Sequence, residues 1–267
     1  MGTARLARGR GAALLALGLL AALSAALPAV PAQGERSQRG NLVVSLDGKL
    51  SPLKLPRERE APVAVRLEGG LRTADGETLP RVTRVELGLP VQASLHARGL
   101  PTCPPRRLRD ATTPQALDAC RGALVGRGRL EADVLLPHQA PFSIGTRLFA
   151  FNSRLDGRRA IVLHAYAADP PTVVVIPFRV RPGSGRFGTA LVADLSPELG
   201  PWPRFARFEL TLSRSFRYRG ERLSYLSASC PIPPRFTAGF FSFARASFTL
   251  AGGREIATGI ARSCRAR

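Results

Sequence analysis

The stretch ARFELTLSRSFRY, residues 206–218, changes from oily to polar at every second position. Phe208, Leu210, Leu212, Phe216 and Tyr218 fall on one side; Arg207, Glu209, Thr211, Ser213, Ser215 and Arg217 fall on the other. Successive side chains of a strand point to opposite faces, so a period of two fits a strand and gives a helix no apolar stripe. The same rhythm recurs in APVAVRLEGG (Val63, Val65 and Leu67 inward), TRVELGL (Val85, Leu87, Leu89) and RGRLEADVLLP (Leu130, Ala132, Val134, Leu136). Strands with one wet and one buried face belong to antiparallel sheets. The feature therefore predicts an all-β fold, an antiparallel β-sandwich of the immunoglobulin-like or jelly-roll-like kind.

Two runs are apolar on both faces, AIVLHAYA (160–167) and TVVVIPFRV (172–180), and read as central strands. Pro177 inside the second calls for a bulge or an edge, since proline cannot donate to a ladder. Further strands are expected at 42–47, 146–152, 187–195, 223–229, 240–250 and 255–263. Turn signals include Asp47-Gly48, Asp75-Gly76, Asp156-Gly157, Arg219-Gly220 and Gly252-Gly253. One short helix is expected over 113–121, capped at Thr112 or Thr113 with Pro114 in its first turn. The segment 33–60, with its charged SPLKLPRERE, reads as an extended lead-in or edge strand, and 61–267 as one disulfide-stabilised domain.

Residues 1–32 read as a cleaved signal peptide. Arg5, Arg8 and Arg10 precede the apolar GAALLALGLLAALSAAL (11–27), and Val30-Pro31-Ala32 offers small residues for a cut after Ala32. No later stretch is long and apolar enough for a membrane span, so a secreted, extracellular protein, wall-associated or released, is expected. Losing three arginines and no acid takes the formal charge from +20 to +17. Lys49 and Lys54 are the two lysines, and arginine supplies the remaining cations. Four cysteines in an exported chain imply two disulfides, with three possible connectivities. The favoured pairs are Cys103–Cys120, bracketing PPRRLRDATTPQALDA, and Cys230–Cys264, tying two late strands. No C-x-x-C or C-x-x-H pair offers the thiols to a metal, and none is expected.

Gly183, Gly185 and Gly188 in RVRPGSGRFGTA spell G-x-G-x-x-G, the fingerprint of a dinucleotide loop. That loop needs a helix of several turns after it, and TALVADL runs into Pro197 too soon. A hairpin turn, with no nucleotide or other cofactor, is the expectation. Of the three histidines, His96 and His138 fall in loops. His164 lies in a strand apolar on both faces, where a buried histidine bonded to backbone is the ordinary outcome. As a general base it would need Asp156 or Asp169 beside it. These three are the candidate catalytic residues of an extracellular hydrolase with a loop-built site. Arginine clusters at 106–109, 158–159, 217–222 and 262–267 invite a nucleic-acid reading. The alternation argues against it, because it turns Phe216 and Tyr218 inward and away from any base.

LDGKLSPLKLP (46–56), LPTCPPRRL with ALDAC downstream, LFAFNS, FRYRG with LSYLSASCP, FFSFARASFTLAGG and ARSC together resemble a family of uncharacterised exported proteins from high-GC Gram-positive bacteria. The resemblance spans nearly the whole mature chain, includes all four cysteines, and implies one domain with paired cysteines. No activity or ligand comes with it. The sequence thus points to a secreted basic β-sandwich that binds or builds at the cell envelope, with anionic envelope polymers as partner. A hydrolase and a non-specific polyanion binder are the alternatives.

Overall fold

The computed structural model describes residues 35–195 and 202–267; the apolar leader and the cut expected after Ala32 lie outside the described residues. The chain opens with β1 (Glu35–Arg39), β2 (Leu42–Ser51) and β3 (Lys54–Leu55). Next come β4 (Ala61–Pro62), β5 (Ala64–Thr73), β6 (Val82–Pro90) and β7 (Ala93–Leu95). The helix α1 (Thr113–Cys120) leads into β8 (Leu124–Val134), β9 (Phe142–Leu155), β10 (Arg158–Ala168), β11 (Pro171–Pro182) and β12 (Phe187–Asp194). The last third holds β13 (Pro203–Leu212), β14 (Ser215–Tyr218), β15 (Glu221–Ser224), β16 (Leu226–Ala228), β17 (Ala238–Leu250) and β18 (Glu255–Ala266). The fold is mostly strand with one short α-helix among the described residues.

Thirteen strands form one sheet in the order β1-β2-β5-β13-β8-β9-β10-β11-β12-β6-β17-β18-β3. Its neighbours pair antiparallel except the last, where β18 and β3 run parallel. The sheet curls far enough that β2, near one end, packs on β17 and β18, near the other. Gly48 makes this approach possible: a Cβ there would overlap the ring of Phe243 and touch Ile260. Arg262 on β18 then donates from Nε to the Gly48 carbonyl (2.7 Å) and pairs through its guanidinium with Asp47. Nearby, Arg39 Nη1 donates to the Glu255 carbonyl at 2.7 Å. The Asp47-Gly48 dipeptide is therefore no turn. It sits inside β2 because the glycine serves close packing.

The concave face encloses the main core, where Val44, Leu46, Leu67, Leu148, Ile161, Leu210 and Phe248 meet. An apolar cavity of about 60 Å³ remains inside, lined by residues such as Leu89, Phe178, Leu191 and Phe243. That is well below the roughly 300 Å³ at which ligand pockets begin. The small sheet β4-β16-β7 contributes Ala93, Leu226 and Ala228 to its wall.

The runs apolar on both faces have a second cover. On the convex side Phe149, Phe151 and Val162 pack beneath α1 and the loop before it, joined by Leu108 and Ala116. Pro114 lies in the first turn of α1 and the Gln115 side chain accepts the Thr112 N–H at 2.8 Å, a capping arrangement that fixes where the helix starts. Thr113, Ala116 and Cys120 form its buried stripe. The disulfide Cys103–Cys120 staples helix to loop, and the Cys103 N–H donates to the Asn152 carbonyl of β9 (2.9 Å). The second disulfide, Cys230–Cys264, joins the loop before β17 to β18, and both bonds have the connectivity favoured above. Pro177 sits opposite Val162 of β10, at a level where β12 has not yet joined, since β12 pairs with β11 only from Arg179 onward. Its side away from β10 is thus locally an edge among the described residues, as proline requires.

Two strand expectations need correcting. The alternation over 206–218 is not one strand: β13 ends at Leu212, and β14 forms a separate hairpin with β15. Ser213 donates back to the Val125 carbonyl while the Arg214 carbonyl accepts from Tyr225, which turns the chain out of the large sheet. The expected strand 223–229 is divided between β15 and β16 for the same reason. Alternation continues through such a hand-over and cannot reveal it.

Two stability predictions follow from the closures. Gly48→Val should cost about 2–3 kcal/mol or more, because Phe243 cannot retreat without opening the core; urea unfolding checks it. Cys103→Ser with Cys120→Ser should cost about 3 kcal/mol in the chain-entropy estimate for a loop of 17 residues, read from the same unfolding curves under non-reducing conditions.

Candidate functional site: an arginine-lined groove

The candidate catalytic residues do not come together. Asp156 and Asp169 lie just beyond opposite ends of β10, whose 11 residues span roughly 36 Å at strand rise. His164 lies between them along the strand, on the convex face, fully buried and flanked in register by Phe149 and Val175. Its Nε2 lies 2.8 Å from the Ala111 carbonyl. A carbonyl can only accept, so Nε2 carries the proton and Nδ1 is the bare nitrogen, which has no hydrogen-bond partner among the described residues. Burial lowers the His164 pKa below its ordinary 6.5, opposed by the bond to Ala111. The residue anchors the loop before α1 to the sheet. His96 is spent on the Glu60 carboxylate (3.0 Å).

The G-x-G-x-x-G glycines close the β11–β12 hairpin. The Gly183 N–H donates to the Gly188 carbonyl at 3.1 Å, and Gly185 takes a φ of +58°. Strands flank this turn on both sides, and no helix N-terminus among the described residues follows it. Tyr218, from the aromatic-and-arginine stretch, is half-buried with the guanidinium groups of Arg98 and Arg219 at 5.9 and 5.4 Å from its ring centre. Phe216 packs onto the main core.

Side chains do converge where the β9–β10 turn meets the paired ends of β11 and β12. Asp156 and Gly157 both take positive φ, +51° and +74°, the backbone of a tight hairpin that brings Arg158 back onto the sheet. Register sets Arg179 between Ala160 and Val192, and Arg181 one pleat further along the same face. The result is an open groove of about 1100 Å³ lined by Asp156, Arg158, Arg179, Arg181, Pro182 and Asp194. Asp194 is already matched, since it accepts from Arg84 Nη1 at 2.5 Å and Arg179 Nη1 at 3.3 Å. Arg158 and Arg181 make no ion pair among the described residues and are exposed. The groove thus offers two unmatched guanidinium groups, with a third alongside and the Asp156 carboxylate at the rim. Guanidinium is always charged and presents donors in a planar fork, which suits carboxylate and phosphate oxygens. Among the described residues no three of His, Cys, Asp and Glu gather in a way that could hold a metal.

The sequence reading singled out Asp156 and the Arg158-Arg159 pair but passed over Arg179 and Arg181. Their signal was present as R-V-R, two arginines one pleat apart on a strand that follows a hairpin. In comparisons with protein-family models, curated proteins and solved structures, nothing matches this chain. No helix among the described residues is long and apolar enough to cross a membrane.

The buried His164 yields a pH prediction. Its folded pKa lies below the unfolded value near 6.5, so the unfolded chain takes up the proton first as pH falls. Stability is complete above pH 6.5 and declines below it, by at most about 1.4 kcal/mol per pH unit from this one group. His164→Gln keeps a donor for Ala111 and cannot charge. Thermal midpoints measured from pH 7.5 to 5 should flatten in that variant relative to the parent; an unchanged slope would assign the acid sensitivity elsewhere.

Proposed function

We propose that this chain is an exported, basic binding module of the cell envelope, and that the arginine groove receives anionic groups of an envelope polymer. The observation that carries the reading is the convergence of Arg158, Arg179 and Arg181 in one open groove whose Asp194 is already neutralised. Two disulfides suit an oxidising compartment, in keeping with export. The formal charge of +17 left by the expected cut favours association with polyanions in general, and the groove gives that attraction a place. In this reading the curled sheet is a sandwich in the immunoglobulin-like or jelly-roll-like sense, one rigid support for residues near its hairpin ends. The resemblance to exported proteins of high-GC Gram-positive bacteria belongs to the same reading. Among the described residues the groove brings together guanidinium groups and two carboxylates, which suits binding of an anion.

The test is titration with a polymer carrying phosphate at regular spacing, such as polyglycerol phosphate, at several salt concentrations. The parent should bind with an affinity that falls as salt rises. Arg158→Ser with Arg181→Ser should weaken binding at least tenfold at low salt. It should also reduce the slope of log affinity against log salt by roughly one per arginine removed. Both side chains are exposed, so the thermal midpoint should stay within about a degree or two of the parent. Salt-independent binding, or equal affinity in the double variant, would remove the groove from the function.

A further inference from the structure

A different corner of the molecule carries an exposed apolar surface. Phe240 is 85 % exposed, Phe236 60 % and Leu53 49 %, three of the five large apolar side chains left open on the surface among the described residues. Backbone pairing brings the segments that carry them to one corner of the sheet. The Leu53 carbonyl accepts the Arg265 N–H at 2.9 Å, and Arg265 lies opposite Ala238 on β17 and Lys54 on β3. Register partners share a face, so Lys54, Arg265, Ala238 and, one pleat on, Phe240 with Ser263 all point outward together; each of these is exposed. The inward alternates Leu55 and Cys264 are buried. Phe236 stands in the turn just before β17. That turn is held firmly, since the Arg57 guanidinium donates to the carbonyls of Ile232 (2.7 Å), Pro233 (3.0 Å) and Phe236 (2.9 Å).

Charge says what this surface fits. From Arg222 to Arg254 the sequence contains no acid, and none follows Glu255. Arg235, Arg265, Arg267 and Lys54, all exposed, make the segments that carry the two rings predominantly cationic. The nearest acids along the chain are Glu58 and Glu60, and Glu60 is turned to Ser94 and His96. Rings projecting beyond a rim of cations suit a surface that is oily within and negative at its boundary. Water alone gives the rings no partner, and a folded acidic protein would need a pocket for each ring.

We propose that the corner built by β3, the start of β17 and the end of β18 docks on an anionic lipid bilayer, Phe240 and Phe236 entering the headgroup layer while Lys54, Arg235 and Arg265 meet lipid phosphates. The acyl boundary takes the apolar area, and each cation adds an attraction that fades with salt. This contact lies on other strands than the β9–β12 groove and does not depend on it.

The experiment places a reporter in the corner of the full chain. Phe240→Trp adds one indole to the single native Trp202, and the difference spectrum against the parent isolates it. Vesicles of phosphatidylglycerol and phosphatidylcholine in equal parts should shift that emission to the blue, reversibly with salt, while pure phosphatidylcholine should leave it nearly unmoved. Adding Lys54→Ser and Arg265→Ser should weaken vesicle binding about thirtyfold. Phe236→Ser should weaken it about tenfold. Arg158→Ser with Arg181→Ser should leave the emission shift in place, so failure of the groove and failure of this corner are told apart. No shift with anionic vesicles overturns the proposal, and so does an equal shift with neutral ones. A shift that grows with protein concentration in the absence of lipid would assign the corner to self-association and overturn it as well.

Discussion

Gly48 occupies the middle of a ten-residue strand, a position where glycine ordinarily weakens a sheet. Here the missing side chain is what lets β2 approach β17 and β18 closely enough for Phe243 and Ile260 to fill the space. The contact brings the early strands onto the last ones and turns a long open sheet into an enclosure with one core. Arg262 secures the junction, because its guanidinium meets both the Gly48 carbonyl and the Asp47 carboxylate while only 15 % of its side chain stays exposed. A charge held that far from water needs such partners. Long sheets tend to coil because strands twist, and here the coil is fixed where a glycine permits contact.

The convex face divides between two uses. Over β9 and β10 it is oily, and the stapled α1 with its preceding loop covers it, with His164 and Ser153 bonding backbone carbonyls of that loop. Where the cover ends, toward the β9–β10 turn, the same strands carry arginines, and the groove begins. Covering an apolar stretch and exposing a cationic one on adjacent pleats explains how one sheet face can be both structural and available to a ligand. It also explains why the buried histidine has nothing to do with the groove: it belongs to the covered half.

Charge on the outside is distributed with some order. Arg66 bridges Glu68 and Glu209, Arg207 reaches Glu68, and Arg84 with Arg179 flanks Asp194. These exposed pairs contribute little to stability individually. Cations without an ion pair among the described residues are spread over the surface, and those at the hairpin ends of β10 and β11 and near Phe240 are among them.

The period-two rhythm was enough to make the chain antiparallel and all-β, because alternation of oily and polar side chains is a local property that any one-sided sheet imposes. The helix start, expected at Thr112 or Thr113 and found at Thr112, the turn at Asp156-Gly157 and the burial of His164 were legible for the same reason, each resting on residues a few positions apart. The groove was half legible: Arg158 stood out beside its turn, whereas Arg179 and Arg181 acquire meaning only when β11 lies beside β10. The strand order, the break of the 206–218 alternation at Ser213 and the in-strand place of Gly48 were not readable. They depend on which distant segment, Val125 or Phe243, happens to lie opposite. Local pattern decided the kind of structure; contacts between residues hundreds of positions apart decided its closure, because a strand's pattern records that a face is buried and never against what.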